Sequence, residues 1–194
     1  MASFSLPLFP LQSVLFPGGS LNLKVFEARY LDMASACLRE RRPFGVCLIK
    51  SGDEVGTAAE PETVGTLAHI VAADMDTPGI LMLKLTGGDR FVVERWRAGP
   101  DQLITATVRA KGEEPVIPVP PGSRPTLEVL EAIARGAPDA LREAIRDDAT
   151  WVGFRLAELL PLRMAARQAM LEMNDPGVRL EILMAFLRRN RLIG

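Results

Sequence analysis

The chain has 194 residues, 48% of them hydrophobic and 24% charged. That usage suits one medium domain or two small ones and excludes wholesale disorder. Lys+Arg is 23 against 24 Asp+Glu, a formal net charge of -1, so the chain lacks the basic excess expected of one built to hold a long nucleic-acid backbone.

In chain order, the first half reads as strands. Leu21, Leu23 and Val25 alternate with Asn22 and Lys24, the period of a half-buried strand. A helix over Glu27 to Arg42 follows, with Tyr30, Leu31, Ala34, Cys37 and Leu38 at helical spacing. Arg39, Arg41 and Arg42 fall in its last turn, and Pro43 stops it. Phe44 to Ile49 is an apolar run suited to an interior strand, and Ser51 to Thr63 a polar loop. Val64 to Asp74 is extended. Leu81, Leu83 and Leu85 alternate up to Gly87-Gly88, and Arg90 to Arg97 resumes the strand character. A Gly-Gly step between two such runs predicts a hairpin there. Leu103 to Ala110 puts Ile104, Ala106 and Val108 on one face. An antiparallel meander of this kind closes into a barrel.

The composition then changes. Five prolines fall between Glu113 and Pro125, which reads as a semi-rigid extended linker. Helices are expected at Thr126 to Arg135, Pro138 to Asp147, Trp151 to Leu160 and Ala165 to Met173. A last helix opens with Asp175 as N-cap and Pro176 at the first helical position. The expected class is α+β: a β-barrel subdomain over 1–112, a linker over 113–125 and a helical bundle over 126–194.

The sequence is poor in catalytic signals. It has no Gly-x-Ser-x-Gly elbow, no His-Glu-x-x-His, no dinucleotide fingerprint and no P-loop. Cys37, Cys47 and His69 are its only cysteines and histidine, one ligand short of a zinc site. No metal or cofactor is expected, and both cysteines read as buried, reduced thiols. His69 reads as a partly buried structural side chain. The pairs Glu113-Glu114 and Asp147-Asp148 read as solvated charge. No apolar run of about 18 residues exists to span a bilayer, and the N-terminus lacks a signal-peptide pattern. A cytoplasmic protein is expected.

Leu6-Pro7-Leu8-Phe9-Pro10-Leu11 and Val14-Leu15-Phe16-Pro17-Gly18 resemble the opening of the Lon protease N-terminal domain. Phe26-Glu27-Ala28-Arg29-Tyr30 is similar to the next segment of stand-alone bacterial members. Val64 to Ile70 resembles the family's central strand, and Gly87 to Arg90 its turn before an arginine. Leu171-Glu172-Met173, Asp175-Pro176 and Arg179-Leu180 resemble the end of its bundle. The resemblance runs from about Leu6 to about Arg189. It implies a six-stranded PUA-like pseudobarrel followed by a helical bundle. In Lon proteases this region selects and holds protein substrates for an ATPase module and a Ser-Lys peptidase. The absence of a P-loop and of further Cys pairs leaves neither that motor nor the zinc-bearing extension of the relative cereblon.

The resemblance implies a non-catalytic module for peptide segments or unfolded protein, with a protease or chaperone as a further partner. RNA binding is the alternative, because PUA-like barrels often bind RNA; near-neutral charge and 6% aromatics count against it. A hydrolase using Cys or carboxylate groups is the third reading. Glu27, Arg29, Tyr30 and Arg90 are the candidate binding residues. Glu27 and Arg29 could instead pair at the helix start, Tyr30 could be core, and Arg90 could tie a hairpin to the barrel.

Overall fold

A computed structural model describes residues 2–137, 141 and 143–193. The chain forms two compact units, Met1–Glu113 and Glu114–Gly194. The first holds β1 (Ser3–Leu11), β2 (Ser20–Val25), α1 (Ala28–Glu40), β3 (Phe44–Ser51), β4 (Glu60–Thr77), β5 (Ile80–Ala98) and β6 (Ile104–Ala110). The strand order is β2-β5-β4-β3-β1-β6, and a β5–β6 pairing closes β1, β3, β4, β5 and β6 into a ring. β2 stays outside that ring and, among the described strands, pairs with β5 alone. The expected α+β class, a β pseudobarrel followed by helices, is the fold the chain adopts.

β1 contains Pro7 and Pro10, residues that a central strand normally excludes. Its pairing explains them. β1 pairs with β6 over Ser3 to Leu8 and with β3 over Leu8 to Leu11. Each proline thus lies where the strand has one neighbour, and its missing N–H can face the open side.

The expected hairpin at Gly87-Gly88 is corrected. β5 runs unbroken from Ile80 to Ala98 through both glycines. The turn into it is at Pro78-Gly79, where Gly79 has φ +80° and Thr77 pairs with Ile80. The two glycines serve close approach instead. A Cβ on Gly87 would lie 2.1 Å from the Phe16 carbonyl oxygen, and one on Gly88 2.6 Å from His69 Nε2. His69 is exposed, not partly buried, because it lies where β4 runs on past its β3 partner. β4 also starts at Glu60, earlier than the polar loop predicts. The Glu60 carboxylate accepts from Lys50 Nζ at 2.6 Å and Ser51 Oγ at 3.0 Å, and so fixes the strand start.

The second unit contains α2 (Arg124–Arg135), α3 (Ala149–Leu159), α4 (Met164–Glu172) and α5 (Pro176–Arg189). Of the helix expected at Pro138 to Asp147, Pro138, Asp139, Ala140 and Arg142 lie outside the described residues. Asp175 caps α5 as expected, accepting from Val178 N at 3.0 Å. The reading of two acidic pairs as solvated charge is corrected for Asp148 and Glu114; Asp147 is exposed as expected but is also hydrogen-bonded. Asp148 is buried and caps α3, accepting from Thr150 N at 3.0 Å. Asp147 accepts from Val119 N at 2.8 Å and from Arg124 at 3.0 Å. The Glu114 side chain is 3% exposed and pairs with Arg179 at 2.6 Å. These carboxylates fasten the Pro-rich stretch, which has no regular structure from Lys111 to Pro120. Ala149 N donates to Ile117 O at 2.8 Å, and Thr150 Oγ1 to Pro115 O at 2.9 Å.

Candidate functional site

Three of the four candidate residues form one cluster at the start of α1. Glu27 is the N-cap, yet its carboxylate makes no capping bond. It accepts instead from Arg29 Nη2 at 3.0 Å and from Gly56 N at 3.4 Å. Arg29 is buried and donates from Nη1 to Gln102 O at 3.0 Å. Gln102 holds a positive φ of 66°, and its side-chain oxygen accepts from Ala58 N at 3.2 Å. One ion pair therefore joins the helix start, the loop before β4 and the β5–β6 turn. The Arg29 guanidinium lies 4.5 Å from the Tyr30 ring centre. Tyr30 is buried and stacks on Phe9 at 3.7 Å between centroids. Burial pushes the Tyr30 hydroxyl pKa up, partly offset by Arg29.

Arg90 is placed elsewhere. It is buried on β5, opposite Thr66 on β4, and its carbonyl accepts from Lys111 N at 2.9 Å. Thr66 in turn donates its hydroxyl to Leu15 O at 2.6 Å. Replacing Glu27 with alanine leaves Arg29 short of its carboxylate. Glu27 is partly solvated, so we expect a loss of about 1 kcal/mol. Amide exchange should rise at Gly56 and Ala58; unchanged protection there would refute the linkage.

Cys37 and Cys47 are free, buried thiols. Burial raises both pKa values, so both stay protonated and poorly nucleophilic.

The sequence reading missed an exposed arm. Beyond His69, β4 leaves β3 and continues beside the first half of β5, with β2 on the far side of β5. One face of this three-stranded arm is core: Leu23, Val25, Leu81, Leu83 and Leu85 cluster with Tyr30, Met33, Ala34 and Cys37 of α1. Asn22, Lys24, Met82 and Lys84 alternate with the buried positions and are exposed. Val71, Met75 and Met82 are 55%, 52% and 42% exposed. Among the described residues, no strand pairs with β2 on its outer side. The arm thus combines bare apolar side chains with a strand that, among the described residues, has a strand partner on one side only.

The model of the ATP-dependent protease La (LON) substrate-binding domain matches residues 5–189. The chain belongs to the Lon substrate-binding domain family. A Lon N-terminal domain protein from Xanthomonas campestris, a crystal structure, is 40% identical, with 94% of this chain and 98% of that chain covered and a TM-score of 0.80. The N-terminal domain of Mycobacterium avium complex Lon protease shares the fold at 16% identity and a TM-score of 0.71, with 94% and 97% covered. A comparison with curated proteins finds no match. The family match covers the Lon substrate-binding domain and no ATPase or peptidase module. Among the described residues, no helix is long and apolar enough to cross a membrane.

Two of the Lon-like motifs meet in space. Gly18 N donates to Gly87 O at 2.7 Å, and Gly87 N donates to Gly19 O at 2.9 Å. The Lon-like opening therefore sits directly on β5 at Gly87 and fixes the start of β2.

Proposed function

We propose that this chain is a non-catalytic substrate-binding module that holds extended segments of unfolded protein on the β2–β5–β4 arm. The observation that carries this reading is that Val71 and Met75 on β4 and Met82 on β5 are all exposed, on an arm whose outer strand is β2. Methionines adapt to many apolar partners. An open edge can hydrogen-bond any extended backbone, whatever its sequence. That combination suits clients that share unfoldedness and no motif. The family description supports a protein substrate. Glu27, Arg29, Tyr30 and Arg90 then act as the frame that positions the loops, and the client touches the arm. Buried thiols fit a reducing cytoplasm, where a protease or chaperone could take over the client.

The test is binding of a reduced, carboxymethylated unfolded protein to the intact chain, followed by calorimetry. Replacing Val71, Met75 and Met82 with serine should weaken binding about tenfold. These positions are exposed, so stability should stay within about 0.5 kcal/mol. Equal binding by parent and variant would overturn the assignment to the arm. No binding by the parent would overturn the function itself.

A further inference from the structure

The helical unit contains a cleft of about 450 Å³ between the α3–α4 connection and α5. Pro161, Leu162, Ala166 and Phe186 give it apolar walls, and Arg163 and Arg189 line it with them. Val178 and Ile182 precede Phe186 at four-residue steps on α5, both more than 40% exposed, and extend the apolar stripe that leads to it. Among the described residues, the guanidinium groups of Arg163 and Arg189 have no hydrogen-bond or carboxylate partner. Arg135, Arg188 and Arg191 of this unit are likewise without one, but they do not line the cleft; five other arginines are paired. Arg124, Arg146, Arg155 and Arg179 each face a carboxylate, and Arg167 donates to Leu160 O at 3.1 Å.

Helix electrostatics explain only part of this. Arg188 and Arg189 end α5, where a cation complements the dipole. Arg163 stands at the N-cap of α4, where a cation opposes it. Both arginines are exposed, and two cations at one apolar cleft, one of them set against its own helix, complement a carboxylate carried beside an apolar side chain. We infer that this cleft binds a protein segment in which Asp or Glu stands beside Leu or Phe. The apolar side chain fills the cleft, and the carboxylate takes charge-assisted hydrogen bonds from Arg163 and Arg189. A nucleic acid fits the arginines but not the walls, where Phe186 is the one ring against which a base could stack. The inference rests on the reading of the chain as a protein-binding module, but it concerns different residues and a different chemistry from the arm.

The experiment measures fluorescence anisotropy of labelled peptides against the full chain. One peptide alternates Leu with Asp, a second replaces each Asp with Lys, and a third replaces each Leu with Ser. The first should bind about tenfold more tightly than either control. The charge reversal R163E/R189E should remove that preference while binding of the carboxymethylated protein through the arm persists. R163Q/R189Q gives the same reading if the reversal does not fold. Retained preference in a folded double variant would overturn the proposal, as would no binding of the Leu-Asp peptide. So would single-stranded RNA competing it off the parent chain. Variant-sensitive peptide binding without any binding of the unfolded protein would support the cleft and sink the arm.

Discussion

Replacing Arg179 with methionine should unfold the helical unit under conditions where the parent chain is stable. Arg179 is fully buried and lies on α5, four residues from the Asp175 cap. Its guanidinium grips Glu114 with both branches, at 2.7 and 2.6 Å. It also donates to Met170 O at 3.1 Å and Met173 O at 2.6 Å, the carbonyls where α4 ends. The group lies 4.1 Å from the Phe154 ring centre, and Gly153 leaves room for its stem. One side chain thus joins the Pro-rich stretch, the end of α4, α3 and α5. Methionine would take from the buried Glu114 carboxylate its two-branched partner and from the Met170 and Met173 carbonyls the guanidinium that reaches them. Removing one partner of a buried pair costs about 3–5 kcal/mol. Lysine keeps the charge but not the planar fork, so R179K should recover only part of that. The double change R179M/E114M should be more stable than R179M alone, because the buried carboxylate that loses the Arg179 fork is gone as well. Urea unfolding of the intact chain, followed by far-UV circular dichroism, reads all three. A loss of under about 0.5 kcal/mol for R179M would show that the bond network is not what holds the unit.

That residue also shows what the sequence could and could not disclose. The start of α5 is legible, because an Asp-Pro step is a local cap signal. Arg179 is not, since an arginine beside Val178 and Leu180 reads as surface charge until its partners are known. Glu114 and Asp148 fail for the same reason: a carboxylate in a loop is buried only if distant chain brings it donors. The barrel strands follow their apolar alternation closely. The arm breaks that logic twice. Register shifts in β4 on either side of Val71 and between Asp74 and Thr77 move apolar side chains out of phase with the buried face. Apolar residues in a strand also read as core, and only the departure of β3 after its Phe44↔Ala68 pairing leaves this stretch bare. Of the candidate residues, Glu27, Arg29 and Tyr30 lie within four positions of one another, so their cluster is legible in the sequence. The loops that the cluster joins are not, because their partners come from distant chain.

Gly87 gives the second large effect, and it bears directly on the arm. A glycine in a strand interior weakens the strand unless something must come close. Here the Phe16 carbonyl comes so close that an alanine Cβ would stand 2.1 Å from its oxygen. The obstruction is backbone, so no rotamer change can relieve it. Either the Leu15–Gly19 segment lifts off β5 or β5 bends away. Both movements break the exchange of hydrogen bonds between Gly87 and Gly18-Gly19, which sets where β2 begins. Gly87→Ala should therefore cost about 3 kcal/mol, from overpacking plus two strained backbone bonds. Gly88→Ala is the matched control. Its Cβ would meet the His69 ring, an exposed side chain that can swing aside, so the cost should stay below about 1 kcal/mol. The signature is local as well as global: amide exchange across β2 should rise in G87A and not in G88A. If the arm holds unfolded clients along the β2 edge, G87A should also lose client affinity under conditions where its barrel remains folded. Equal stability of G87A and G88A would show that the opening segment does not depend on contact with β5, and the arm would lose its anchor.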